Sequence, residues 1–305
     1  MYKHENGCII IQELILKHQV IEILGGIKML KGSLKKLIAV SLVVGSMFTF
    51  AACGSKQNTS NSGTQSQTME RIKKNGKLVL GTSADYPPYE FHKAVDGKDE
   101  IVGFDVEVAK QIAKDMGVQL EIKDMKFDGL LAALDQGNVD IVVAGMTPTE
   151  ERKKNVDFSK VYYNAVQTVI VKASDKDKIK SIDDLKGKRV GVQKGAIQEE
   201  IAKKQMPNSE AVALGKISDL VLALKNNRVD AVIVELPVAT SNVNANKDLV
   251  ISGIKLQTEE AGSAVAIKKG SADVVSAIDK TLDKLIQDKS IDKYVTDATN
   301  SVEVK

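Results

Sequence analysis

The sequence predicts an α/β protein made of two similar lobes, and three patterns carry the prediction. Short apolar runs alternate with stretches of helical period, the signature of βαβ units and parallel sheets. One pattern of helix end, turn and buried strand occurs twice, in 134–145 and again in 224–235. The composition is 43% hydrophobic but only 4% aromatic, with no tryptophan, which fits aliphatic cores between helices and sheets.

In chain order, the first recognisable segment is 29–53. Lys31, Lys35 and Lys36 form a charged n-region, an apolar h-region follows, and small residues lead to Cys53. This is the layout of a signal peptide, too short in its apolar run for a membrane span. It resembles a bacterial lipoprotein signal, which implies cleavage and acylation of Cys53 and a lipid anchor on the outer face of the cell membrane. Phe50 stands where such signals prefer leucine, while Ala51 and Ala52 fit; an ordinary signal with an incidental cysteine is the alternative. Residues 1–28 read as an over-extended start with Met29 as the expected initiator, so 1–52 is the expected leader. Residues 53–68 are Ser/Asn/Gln/Gly-rich without apolar periodicity, a flexible tether.

The 305-residue chain has a formal charge of +3. The leader holds Lys3, Lys17, Lys28, Lys31, Lys35 and Lys36 against Glu5, Glu13 and Glu22, so the remainder is neutral. A neutral domain has no electrostatic footprint for nucleic acid, and no such partner is expected. Cys8, His4 and His18 leave with the leader, so His92 and Cys53 are the one histidine and one cysteine that remain. One histidine and one cysteine expected to be acylated do not easily build a Ser-His-Asp or Cys-His arrangement, and they exclude a His/Cys metal site and a disulfide. No Walker-type or dinucleotide glycine motif occurs. Neither catalysis, a cofactor nor a metal is expected. His92, among Glu90, Phe91 and Lys93, reads as an exposed histidine.

Within the domain, 77–81 is a strand. The stretch 105–116 places Val108, Ala109, Ile112, Ala113 and Met116 on one helical face, and Gly117 sits where a C-cap would. Residues 118–122 alternate as a strand, 128–136 is helical, and 139–144 is a fully buried strand. That strand runs into Thr147-Pro148-Thr149-Glu150, with Thr147 as N-cap, Pro148 as first helical residue and Glu150 closing a capping box. Arg152 then puts a fixed cation where the helix dipole favours anions by about 0.3–1 kcal/mol. Either it pairs in solvent with Glu150 or Glu151, or it faces an arriving anion. Further on, Asp183 and Asp184 before Leu185 suit the cap of a short helix, and 187–192 echoes 76–81. In open α/β sheets, ligands sit beyond the carboxyl ends of the strands. The repeat makes Gly145 to Thr147 and Glu235 equivalent strand ends, lining one cleft when the lobes face each other.

Gly103-Phe104-Asp105-Val106-Glu107-Val108-Ala109, continuing with Ile112-Ala113, resembles the signature of the family 3 extracellular solute-binding proteins. The stretches 81–91 (GTSADYPPYEF), 144–152 (AGMTPTEER) and 156–159 (VDFS) are similar to the family in order and spacing, over about residues 69–290. The resemblance implies that Arg152 holds a ligand α-carboxylate in a bidentate fork. It places Ala144, Gly145 and Thr147 at the strand end giving backbone and hydroxyl hydrogen bonds to the same carboxylate. Glu235 falls where the family uses an acid, usually Asp, for the ligand ammonium; it also suits a helix N-cap ahead of Pro237. Tyr86 and Phe127 match the apolar walls around the ligand side chain, or serve as plain core. Gln193, Ala196 and Ile197 lie in the loop that touches the ligand main chain. Ser83 stands where many basic-amino-acid binders carry Asp, and Asp85, two residues on, points to the same side of an extended segment.

The stretches GVQKGAIQEE, KISDLV and EEAGSAVAIKKGS resemble the Gram-positive arginine-type branch, which implies a guanidinium met by carboxylates and an aromatic face. Asp85, Glu260 and Tyr86 are the candidates. The implied fold is periplasmic-binding-protein-like of type II, two α/β lobes joined by a two-strand hinge. Lobe 1 is expected over 69–163 and 257–305, and lobe 2 over 164–256. The implied function is capture of a free polar amino acid, arginine-like, by hinge closure of a monomer that delivers it to an ABC permease and its ATPase. A cyclic-acid dehydratase on the same fold and an amino-acid-sensing surface lipoprotein are the alternatives. Relatives often end in Lys-Trp-Phe, whereas here Tyr294 is followed by VTDATNSVEVK.

Overall fold

The computed structural model describes residues 65–258 and 262–302. The leader, Cys53, most of the tether and Glu260 therefore lie outside the described residues.

Two five-stranded sheets organise the chain, and they repeat one order. The first holds β1 (Lys77–Thr82), β5 (Gln119–Asp124), β6 (Ile141–Val142), β7 (Val156–Tyr163) and β13 (Ser263–Lys268), arranged β5-β1-β6-β13-β7. The second holds β8 (Gln167–Lys172), β9 (Arg189–Gln193), β10 (Glu210–Leu214), β11 (Ala231–Glu235) and β12 (Leu249–Ile251), arranged β10-β9-β11-β8-β12. The strands that echo each other in sequence thus take equivalent places, β1 with β9 and β6 with β11.

The shared "VD" has a physical reason in both halves. Asp140 accepts from the Arg71 guanidinium and from the Val79 N–H, 2.8 Å. Asp230 accepts from the Arg189 guanidinium and from its N–H, 2.9 Å. Each aspartate pins the entry of a central strand to its neighbour, with the carboxylate held by a two-pronged cation.

Both sheets are mixed, where the strand and helix alternation predicted parallel ones. β13 runs antiparallel to β6 and β7, and β8 runs antiparallel to β11 and β12. The antiparallel strands adjoin the two places where the chain passes between the sheets, after β7 and after β12. A strand arriving from the other lobe enters from the opposite end, which apolar period alone does not report. β6 is also shorter than the buried run 139–144, because only Ile141 and Val142 are laddered. A third, three-stranded antiparallel sheet, β2 (Asp85–Tyr86), β3 (Glu90–Val95) and β4 (Lys98–Val102), leads into α2 (Phe104–Asp115). Helix α2 buries Val108, Ala109, Ile112 and Ala113, the face expected from its period. Gly103 precedes it with φ +129, and a Cβ there would sit 2.0 Å from the Tyr89 carbonyl oxygen, so that corner admits only glycine.

Candidate functional site

Arg152 lies on α4 (Glu150–Asn155), a single short turn after β6. Its cap is Thr149, whose side chain accepts from the Arg152 N–H at 3.2 Å, rather than Thr147 as the sequence suggested. Two threonines flank Pro148, and the chain uses the later one, which leaves Pro148 ahead of the helix. The Thr147 carbonyl then accepts from Arg152 Nη1 at 2.8 Å. Arg152 Nη2 donates to the Gly195 carbonyl, which belongs to the second sheet's lobe, at 2.9 Å. The guanidinium carbon stands 5.4 Å from the centre of the Phe127 ring, a cation–π distance. The cation thus sits over an aromatic ring and is held by backbone carbonyls from both sides of the cleft.

A narrow cavity of about 260 Å³ of empty space, counted to its open mouth, opens at this point. Ala144, Gly145, Thr147 and Arg152 form one wall, with Tyr86 and Phe127. Gln193, Ala196, Ile197 and Glu235 face them from the second lobe. Among the described residues, every ligand-contact residue predicted from sequence is in this lining except Ser83 and Asp85. Gln198 joins it from the first turn of α5 (Ile197–Gln205), next to Ile197 and within the VQKGAIQEE stretch, although the sequence does not single it out as a contact.

Tyr86 and Phe127 belong to core clusters and also line the cavity, so the core and wall readings both describe them. Glu235 occupies the N-cap position of α7 (Leu236–Ala245), but its side chain makes no capping bond. It turns inward, where Gln198 donates to Gln167 (2.8 Å) and Gln167 donates to Glu235 Oε1 (3.4 Å). The backbone N–H of Glu235 meets the Tyr86 hydroxyl across the cleft at 3.4 Å. The other carboxylate oxygen, Oε2, is buried and makes no hydrogen bond to the protein, as is Nε2 of Gln193. Burial pushes the Glu235 carboxyl up to about 7, Asp105 adds to the rise, and the neighbouring Tyr89 hydroxyl and Gln167 oppose it.

Gly145 holds φ +55, a left-handed conformation suited to glycine. Its N–H donates to Asp105 Oδ2 at 2.8 Å, so what it can offer a ligand is its carbonyl and not the expected amide. Asp105 also accepts from the Tyr162 hydroxyl at 2.7 Å. Burial raises its carboxyl to about 6, with Gly145, Tyr162 and Glu90 working against the rise. Burial, and next the nearby Asp105, hold Glu90 well above the usual carboxylate range.

Ser83 and Asp85 depart from expectation. Ser83 is buried, and its hydroxyl faces Asp85 Oδ1 at 3.4 Å. Asp85 Oδ2 accepts backbone N–H groups of Ile217 (2.6 Å) and Ser218 (3.3 Å) from the second lobe. The segment is not extended as expected: the chain bends at Ala84, where the Asp85 N–H donates to the Ser83 carbonyl at 2.8 Å, and Asp85 meets a helix instead of the cavity. His92 lies between Asp99 and Asp124 and is half exposed. Among the described residues no His, Cys, Asp and Glu group could hold a metal, and no helix is long and apolar enough to cross a membrane.

Residues 78–297 match the model of the bacterial extracellular solute-binding proteins, family 3. The arginine-binding extracellular protein ArtP of Bacillus subtilis is 45% identical over 83% of this chain and 94% of its own. The L-cystine-binding protein TcyJ of Escherichia coli is 34% identical over 73% of this chain and 82% of its own. A crystal structure of the amino-acid ABC transporter substrate-binding protein AbpA from Streptococcus pneumoniae, bound to L-arginine, superposes with a TM-score of 0.75 at 45% identity. It covers 77% of this chain and 99% of its own.

Proposed function

From the premise that this chain belongs to the family 3 bacterial extracellular solute-binding proteins, we propose that it is the amino-acid-capturing component of an ABC importer, with arginine as its ligand. It is a binding protein and not an enzyme, as its matched relatives are. One observation carries the reading: a guanidinium, Arg152, on the helix that follows β6, and a buried carboxylate, Glu235, at the end of β11, face a single cavity. That is the charge pattern of a zwitterion read from both ends. The ligand α-carboxylate lies on Arg152 beside Thr147, and its ammonium lies at Glu235, where Gln167 and Gln198 fix the acceptor. The aliphatic part of the side chain runs between Tyr86 and Phe127. The arginine preference rests on the similarity to ArtP and AbpA and on these aromatic walls, since Asp85 is engaged elsewhere.

Closure is favoured because such a ligand touches both lobes at once, with differential affinity for the closed arrangement. Lobe 1 comprises 69–163 and 257–305 and lobe 2 comprises 164–256, a division supported by the strand memberships of the two sheets. The protein acts as a monomer, held by acylated Cys53 at the outer face of the membrane, and hands its ligand to the permease and ATPase. Calorimetric titration of the purified protein with each common amino acid tests the reading. Micromolar or tighter binding of arginine supports it, and binding of no amino acid rejects it.

A further inference from the structure

Asp85 was singled out in the sequence as a partner for the ligand, and the cavity does not use it. It stands on β2, in the lobe of the first sheet, on a segment fixed from several directions. Thr82 Oγ1 donates to the Val143 carbonyl (2.8 Å), the Ala84 N–H donates to Asp124 Oδ1 (2.8 Å), and Asp85 pairs with Phe91 across β2 and β3. Opposite it, in the lobe of the second sheet, starts α6 (Ile217–Lys225). The N-cap residue of α6 is Lys216, extended at φ −125 and ψ 142, which provides no side-chain cap. The first amide groups of a helix have no partner inside it. Here Asp85 Oδ2 accepts two of them, from Ile217 and Ser218, at the positive end of the helix dipole.

We infer that Asp85 is a closure latch: a carboxylate of one lobe that caps helix α6 of the other when the lobes meet around the amino acid. The inference rests on the solute-binding reading proposed above. In an open arrangement the same amides face water, so the bond forms only on closing. Asp85 adjoins Tyr86, which lines the cavity and reaches the Glu235 N–H, so latch and ligand wall lie on one rigid segment. A second cross-lobe pair, Lys194 with Asp128 at 2.8 Å, is more exposed, with 61% of the lysine side chain accessible, and contributes less. Because Asp85 touches α6 and not the ligand, it sets how long any ligand is held and leaves the choice among ligands to the cavity.

The test compares Asp85→Ala with the wild-type protein for L-arginine and for L-citrulline, the uncharged isostere, by calorimetry and stopped-flow. Loss of a hydrogen bond to a charged acceptor predicts affinity for both ligands about ten- to a hundred-fold weaker, through faster dissociation. The ratio of the two dissociation constants stays within about twofold of wild type, as for sites that do not interact. The melting temperature falls in the presence of ligand and holds in its absence. Ile217→Pro removes the main amide donor at the first helical position, where proline is accepted and the extended Lys216 suits it. It weakens binding in the same sense, and adding Asp85→Ala to it costs less than Asp85→Ala alone, because only the longer Ser218 bond is left to lose. Selective loss of arginine over citrulline would make Asp85 a ligand contact and overturn the latch. Unchanged dissociation, or an equal loss of stability without ligand, overturns it as well, while the solute-binding reading stands. A wild-type protein that binds neither ligand removes both.

Discussion

Glu235→Gln separates the role of the buried carboxylate from that of its shape. Burial raises this carboxyl from its ordinary 4.5 to about 7. Keeping it ionised in the closed geometry therefore costs about 3 kcal/mol at a pH well above 7. An ammonium seated beside it removes that penalty, and breaking such a buried, hydrogen-bonded charge pair costs about 2–5 kcal/mol. Glutamine keeps the shape and has no charge to desolvate, so the loss falls at the lower end, about 2–3 kcal/mol, or roughly thirty- to a hundred-and-fifty-fold in Kd. Closure without ligand moves the other way and becomes easier in the variant, because the burial penalty is gone.

The pH dependence fixes the sign. A carboxyl raised by closing favours ligand-free closure fully below about 4.5, and that contribution is lost as pH rises through about 7. Calorimetry at pH 7.5 measures the affinity, and small-angle scattering across pH 5 to 8 measures ligand-free closure. The reasoning is refuted by an unchanged Kd, or by wild-type and variant proteins that show the same pH response.

Arg152→Lys keeps the charge but loses the planar fork that now spans the Thr147 and Gly195 carbonyls. Calorimetry should show affinity lower by about 3 kcal/mol, on the order of a hundredfold, and a change below about twofold removes Arg152 from the site. Gly145→Ala places a Cβ at ordinary contact distance from the Tyr86 and Tyr89 rings, so its effect is the left-handed backbone alone. Chemical denaturation should register a loss of about 1–2 kcal/mol. Asp105, raised to about 6, and Glu235 favour the ligand-free fold at low pH and withdraw that stability as pH rises through about 6 to 7. Urea denaturation without ligand should therefore give a higher midpoint at pH 5 than at pH 8, and the reverse order would contradict the burial argument.

Much of this was legible in the sequence for identifiable reasons. The VD repeat marks strands that are central in both sheets, since each aspartate does the same pinning work with an arginine. The strand-end rule then brings Gly145, Thr147 and Glu235 together, and the family motifs add Arg152, Tyr86 and Phe127. What the sequence hid depends on long-range meetings. The sequence reads Ser83 to Asp85 as extended, whereas the chain bends at Ala84, and nothing local shows that a helix beginning at Ile217 faces Asp85. Thr147 and Thr149 are equal candidates for a cap on either side of Pro148, and only the backbone path chooses. Gln167 carries no motif, and Gln198 lies inside the VQKGAIQEE stretch, where nothing local separates it from its neighbours. The antiparallel strands β8 and β13 have the same apolar pattern as parallel ones, so the direction in which each enters its sheet stays invisible.

The central claim is that one cavity reads both charges of an α-amino acid, Arg152 its carboxylate and Glu235 its ammonium. Calorimetry of the wild-type protein with L-arginine, with agmatine, which lacks the carboxylate, and with argininic acid, which lacks the ammonium, tests it most directly. Each deletion removes one of the two charge pairs, so both analogues should bind at least about thirtyfold more weakly than L-arginine. Agmatine or argininic acid binding as tightly as L-arginine would contradict the claim.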